Sequence, residues 1–353
     1  MFRAAALAVL LLAAGPAAPE GVATSVPAPR RGWLYYLRAG PGETEPAICR
    51  RRPAAGAPEE RLLEPGGRFS VVAWQPSDDG RRLAYLARLP AGGPVELRVR
   101  DLARGEDLPD VVANVGSFAW AADGQTLFFV TLDGAGRGHR LWRHRLGDDP
   151  ARAAAVYAEQ DAAFDLAVRR TRSGAFVLLA VSGKDADEVR AIPASHPRQE
   201  PFVVIERQAG RRAAVEHRNE FFLLRLDDRG PGFRLVAAPT GDPRPGRWVE
   251  VVPHRPGVLL EEVVALRRFA VARLREGERG RLALLDPRTG EATDLGLPEG
   301  TGPLLPARND DYDALAVRYA TPAPGGEVAV HEWDATTRSH RTVGREPAAL
   351  SPR

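Results

Sequence analysis

Ser117-Phe118-Ala119-Trp120-Ala121-Ala122-Asp123-Gly124-Gln125-Thr126-Leu127-Phe128-Phe129-Val130 is the stretch that decides the fold. An apolar run, an Asp-Gly pair and a second apolar run read as two antiparallel strands joined by a tight turn, because glycine accepts the positive φ such a turn needs. Upstream the same order appears: Ser70-Val71-Val72-Ala73-Trp74, then Asp79-Gly80, then Leu83-Ala84-Tyr85. The Asp-Gly pair and the second run recur at a spacing of 44 residues, and so does a third run, 97–102 against 141–146.

Fainter copies keep this order. Apolar runs fall at 164–169, 176–181, 188–192 and 202–205, then at 214–217, 221–226, 233–237 and 248–252. Two further sets lie at 259–266, 269–274, 281–286 and 293–295, and at 304–307, 315–319, 328–333 and 341–343. An opening set lies at 25–26, 33–37, 47–51 and 61–63, which makes seven units of about 46 residues. Four short strands per unit of that length is the signature of a propeller blade. The expected fold is therefore all-β, a seven-bladed β-propeller with four antiparallel strands per blade. Each terminal unit holds its own four strands, so closure without strand swapping is expected. A β-sandwich would also suit many short strands with turns, but about 28 strands exceed one sandwich and leave the repeat unexplained. Trp74, Trp120, Tyr85, Phe129, Trp142 and Trp333 recur with the blade period and are expected to pack between neighbouring blades.

Composition narrows the function. The chain has 353 residues and 49 basic against 46 acidic side chains, and Lys184 is its only lysine. Arginines alternate with acids, as in Arg98-Val99-Arg100-Asp101, which reads as a mixed solvated surface and not as a nucleic-acid-binding face. Cys49 stands alone, which excludes an intrachain disulfide and a cysteine-built metal site. Met1-Phe2-Arg3, an apolar run of 11 residues from Ala4 to Ala14, and Gly15-Pro16-Ala17-Ala18-Pro19 follow the pattern of a signal peptide. The run is too short to anchor in a bilayer, so no membrane span is expected. Export to the periplasm or beyond is expected if the segment acts as a signal, and cytoplasmic residence otherwise.

No catalytic motif emerges. Gly-x-Ser-x-Gly is absent; Ser117 opens an expected strand and Ser173 sits in an expected turn, where both have structural roles. The seven histidines form no His-x-x-x-His pair, and the Gly-rich turns at 92–93 and 325–326 lack the residues of a phosphate loop. Catalytic, metal and cofactor-binding residues are thus expected to be none, with no cofactor.

The wording of the repeats carries a resemblance. Ser25-Val26-Pro27, Arg31-Gly32-Trp33-Leu34-Tyr35-Tyr36, the stretch 119–133, and Leu141-Trp142-Arg143-His144-Arg145-Leu146-Gly147 resemble the amino-terminal propeller of oligopeptidase B, in the prolyl oligopeptidase family of serine peptidases. So do Glu188-Val189-Arg190, Val215-Glu216-His217-Arg218, Phe233-Arg234-Leu235-Val236 and Pro253-His254-Arg255. The resemblance implies a propeller that caps an α/β-hydrolase domain, admits short peptides, and serves cleavage after Arg or Lys. The family's Ser, Asp and His belong to the hydrolase domain after the propeller. With the sequence ending at Arg353, that domain is expected to be missing from this chain and supplied as a partner.

The expected organisation is a signal-like segment at 1–22, the propeller at 23–346 and a tail at 347–353. Two functions follow: a non-catalytic gating propeller for a separately encoded α/β-hydrolase domain, or an exported free-standing propeller that binds a peptide or protein. Glu188, Arg190, Glu216, His217 and Arg218 carry more charge than a blade core needs. They are the candidate domain-interface residues, with salt bridges on an exposed blade edge as the competing explanation.

Overall fold

The structure is a computed structural model that describes residues 21–286, 289–297 and 304–351. Seven consecutive antiparallel sheets follow one another along the chain, and the outer strand of each leads into the inner strand of the next. They are the blades of a seven-bladed β-propeller. The described residues hold only short 3-10 turns besides the strands. The signal-like segment lies, but for its last two residues, outside the described residues.

Blade 3 shows how sequence sets each sheet. Its strands are Val115–Trp120, Thr126–Leu132, Gly138–Arg145 and Ala154–Ala158. Between the first two, Gly124 takes φ +59°, and the Asp123 carboxylate accepts the N–H groups of Gln125 and Thr126 at 2.9 and 2.8 Å. The aspartate satisfies turn donors that the ladder cannot reach, and the glycine supplies the left-handed residue. This first turn lies at what we call the far end of a blade. The hairpin between second and third strands, and the links to neighbouring blades, lie at the link end.

Two compact units divide the chain. One, Pro65–Arg211, carries blades 2 to 4; the other joins the described residues up to Glu64 with those from Arg212 on and carries blades 1, 5, 6 and 7. In the first unit, Trp120, Leu127 and Phe129 of blade 3 pack with Ala84 and Leu86 of blade 2, with Trp142 partly buried against them. The opposite face of blade 3, with Phe128 and Val130, packs on Val168, Val177 and Leu179 of blade 4. In the second unit, Phe269 and Val271 of blade 6 pack with Val317, Tyr319 and Trp333 of blade 7. Alternation along a strand sends successive side chains to the two neighbours, so nearly continuous apolar runs suit a sheet covered on both faces.

Blades 1 and 7 meet within the second unit without exchanging strands. Blade 1 takes its ladder from 23–63 and blade 7 from 305–347. Three contacts hold them. The Val26 N–H donates to the Glu346 carboxylate at 2.5 Å, Arg318 Nη1 donates to the Pro27 carbonyl at 2.7 Å, and Gly344 leaves room for the Val26 side chain. The sequence places a strand at 25–26, yet the ladder breaks there. The strands are Ala23–Thr24 and Ala28–Arg30, because the Ser25 hydroxyl takes the Leu37 N–H at 2.9 Å and Pro27 has no N–H to give. The run at 304–307 likewise reduces to one bridge, Leu305 to Ala320, since Pro306 cannot donate.

Candidate functional site

At the link end of blades 3 and 4 a polar cluster forms around Arg207. Glu159 follows the outer strand of blade 3, Phe164 precedes the inner strand of blade 4 (Asp165–Arg170), and Glu188 and Arg190 lie on the third strand of blade 4 (Asp187–Pro193). Arg207, just past the fourth strand Phe202–Ile205, reaches Glu159 Oε2 with Nη2 at 2.5 Å and Glu188 Oε2 with Nε at 3.4 Å. The second contact is an ion pair without hydrogen-bond geometry. The guanidinium also lies 3.8 Å from the centre of the Phe164 ring, and Arg190 covers Tyr157 at 4.9 Å. Arg190 Nε donates to Glu188 Oε1 at 2.6 Å.

This arrangement is built and partly dry. Glu159 and Glu188 are 8% and 7% exposed. Burial opposes ionisation of Glu159, but hydrogen bonds from Arg207, the Asp161 N–H and the Tyr157 hydroxyl outweigh it and hold the carboxyl below its usual range. Burial, with the charges of Glu188 and Glu159, raises the Tyr157 phenol. One hairpin supports the cluster: Arg137 pairs with Asp133 at 2.9 Å and donates to the Asp161 and Phe164 carbonyls, both at 3.0 Å, so the link between blades 3 and 4 is fixed.

Glu216, His217 and Arg218 lie elsewhere, on the inner strand of blade 5 (Ala213–Arg218), at that blade's far end and in the other compact unit. His217 is 5% exposed and packs edge-on against Phe222 at 5.5 Å; burial lowers its pKa to about 4, so it is neutral at pH 7. Arg218 Nε donates to the Leu266 carbonyl at 3.0 Å and fastens blade 5 to blade 6. The structure therefore brings Glu188 and Arg190 together and keeps Glu216, His217 and Arg218 as a separate group. None of the five is a freely solvated edge charge: Glu188 and His217 are buried and the others are half-buried.

One feature escaped the sequence. His144 Nε2 and Asp110 Oδ1 lie 2.7 Å apart, both buried, and Asp110 also accepts the Gly147 N–H at 2.9 Å. A spacing of 34 residues hides such a pair. The other ring nitrogen, Nδ1, is buried without a hydrogen-bond partner, so no hydroxyl extends the pair into a proton relay. Ser117, buried, accepts the Val168 N–H at 3.0 Å, and the Ser173 hydroxyl closes its turn against Thr171 and the Ala175 N–H. Among the described residues, no three His, Cys, Asp or Glu side chains are arranged to hold a metal ion, and no helix is long and apolar enough to cross a membrane.

The class that the fold and the polar cluster define is a seven-bladed propeller domain with arginines and carboxylates paired at the link end of blades 3 and 4. Residues 22–321 match the family described as prolyl oligopeptidase, N-terminal beta-propeller domain, and the chain belongs to that family. It is 38% identical over 250 residues to an uncharacterized peptidase, y4qF, of Sinorhizobium fredii, covering 66% of this chain and 33% of that protein. It is 26% identical over 348 residues to dipeptidyl aminopeptidase BI of Pseudoxanthomonas mexicana, covering 92% of this chain and 48% of that one. Protease 2 of Moraxella lacunata is 30% identical over 231 residues, covering 62% and 34%. The chain thus spans a third to a half of the length of these relatives. Oligopeptidase B from Leishmania major shares the fold at a TM-score of 0.83 and 18% identity, over 94% of this chain and 49% of that one.

Proposed function

We propose that this chain is the non-catalytic gating propeller of an oligopeptidase B-like serine endopeptidase, acting with an α/β-hydrolase domain that supplies the triad. The observation that carries the reading is the family match over 22–321, to the propeller domain and to relatives about twice as long or longer. On this reading the propeller limits access to short peptides, and cleavage falls after Arg or Lys. The link end is the docking end: in the second unit the first strand of blade 1 enters there, at Ala23, and the last strand of blade 7 leaves there, at Pro347. Glu188 and Arg190 lie at the link end of their own blade and are the interface candidates retained.

On this reading the adjoining coding sequence should encode Gly-x-Ser-x-Gly followed by Asp and His, and the test combines that product with this chain and follows hydrolysis of an arginyl fluorogenic peptide. Association and activity of the pair, with none from this chain alone, is the expected result. Failure of the two to associate would overturn the reading. Binding of a peptide or protein by the chain without any hydrolase would favour the free-standing alternative. Export directed by 1–22 is part of the proposal, and amino-terminal sequencing of the mature protein tests it: an intact Met1 in the cytosol would refute it.

A further inference from the structure

A cleft of about 430 Å³ opens at the far end of blades 5 and 6, and the family reading gives it no role. Phe221, Phe269 and Leu284 contribute its apolar surface; Arg268 stands on one side, and Asp286 and Glu291 line it from the third and fourth strands of blade 6. The walls are held in place. Asn219, in the left-handed region at φ +53°, accepts the Tyr312 hydroxyl on Oδ1 and donates its backbone N–H to the Tyr312 hydroxyl oxygen, each at 3.1 Å. Its side-chain amide donates to the Arg267 carbonyl at 3.1 Å, which ties the turns of the two blades together.

That knot also sorts two consecutive arginines. Arg267 pairs with Asp313 and lies over the Tyr312 ring at 5.1 Å. Arg268 has neither an ion pair nor a hydrogen bond among the described residues, and it is exposed at the cleft; the same holds for the Glu291 side chain. A guanidinium without a partner matches a carboxylate by a two-pronged hydrogen bond. A polyanion would meet Asp286 and Glu291 across the cleft and be repelled. The volume lies in the range of small-ligand sites, roughly 300–1,000 Å³, and the apolar surface suits one hydrophobic side chain.

We infer that this cleft binds a short peptide with free termini and an apolar side chain. Its carboxylate sits on Arg268, its ammonium faces Glu291 with Asp286 behind, and its side chain rests on Phe221, Phe269 and Leu284. This inference does not rest on the gating role, since it concerns the far end of blades 5 and 6.

Calorimetric titration of the full chain with Gly-Phe, its carboxyl-terminal amide and its N-acetyl form tests it. The expected result is binding of Gly-Phe, weakened at least tenfold by amidation or by Arg268→Ala, and weakened by acetylation or by Glu291→Gln. Arg279→Ala, an exposed arginine at the link end of blade 6, should leave binding unchanged. Absence of Gly-Phe binding to the unaltered chain overturns the inference, as does equal binding by the Arg268 and Glu291 variants. Equal loss in the Arg279 variant would show a general charge effect and overturn it too.

Discussion

Arg170 and Asp78 are joined across an intervening blade. Arg170 ends the inner strand of blade 4, Asp78 lies in the first turn of blade 2, and their Nη2 and Oδ2 atoms are 2.8 Å apart. The same guanidinium donates to the Gly174 carbonyl at 2.6 Å within its own blade and reaches the Ala121 carbonyl of blade 3 at 3.5 Å. One side chain, 4% exposed, thus pins the far ends of three blades. Asp78 keeps part of its exposure and further contacts, so removing Arg170 costs the hydrogen bonds of one buried guanidinium, about 1–3 kcal/mol. Arg170→Ala should lower the urea midpoint accordingly, and an unchanged midpoint would show that the three-blade contact contributes nothing.

The junction of blades 1 and 7 rests on Glu346, 3% exposed, whose carboxylate accepts the Val26 N–H. Glu346→Ala orphans that donor and should cost about 1–3 kcal/mol, whereas Glu346→Gln keeps an acceptor and should cost less. Hydrogen exchange at the Val26 amide reads the effect directly: it should accelerate in the alanine variant well beyond the glutamine one.

His217 makes stability depend on pH. Its folded pKa is about 4, against about 6.5 when exposed, so below pH 6.5 the unfolded chain takes up a proton that the folded chain refuses. Its contribution is constant above pH 6.5 and turns against the fold as pH falls towards 4, by up to roughly 3 kcal/mol. Carboxylates titrate in the same window, so the measurement is the difference between the unaltered chain and His217→Phe. The variant should lose less stability between pH 7 and pH 4.5, and parallel curves would refute the assignment.

Ser117 offers a contrast between a structural and a nucleophilic serine. Its hydroxyl accepts the buried Val168 N–H and so joins the inner strands of blades 3 and 4. Ser117→Ala should cost about 1–2 kcal/mol by denaturation. On the proposed gating function, hydrolysis in the combined assay should be unaltered in that variant.

Trp120 is fully buried between blades 2 and 3, with its indole N–H on the Gln75 carbonyl at 3.0 Å. Trp120→Phe both leaves a void and orphans that carbonyl, and should cost about 2–4 kcal/mol. A smaller loss would mean the blades close over the gap.

The repeat was legible because blades 2 and 3 restate the same local chemistry at Asp79-Gly80 and Asp123-Gly124. The Asp123-Gly124 turn needs an αL residue and a carboxylate beside it, and both are written in adjacent positions. Interblade aromatics were legible for the same reason: Trp120 and Phe129 fall on the face that meets blade 2, and Trp333 on the face that meets blade 6. The strand at 25–26 misled, since Ser25 reads as strand while its hydroxyl replaces a ladder acceptor in space.

The candidate site was only half legible. Glu188 and Arg190 stand two apart on one strand, so their pairing follows from strand alternation alone. Arg207, Glu159 and Phe164 come from a following loop and the neighbouring blade, at separations that no motif records.

Sequence by itself determined seven consecutive antiparallel units, the turn chemistry and the family, because each depends on residues close together along the chain. Tertiary structure alone decided which charges are buried and whom they meet: Arg170 with Asp78, Glu346 with Val26, His144 with Asp110, and Arg268, beside Arg267, unpaired among the described residues. The physical reason is that stacking sheets brings residues 34 to 320 positions apart into contact, and desolvation acts on that neighbourhood, not on the order of residues.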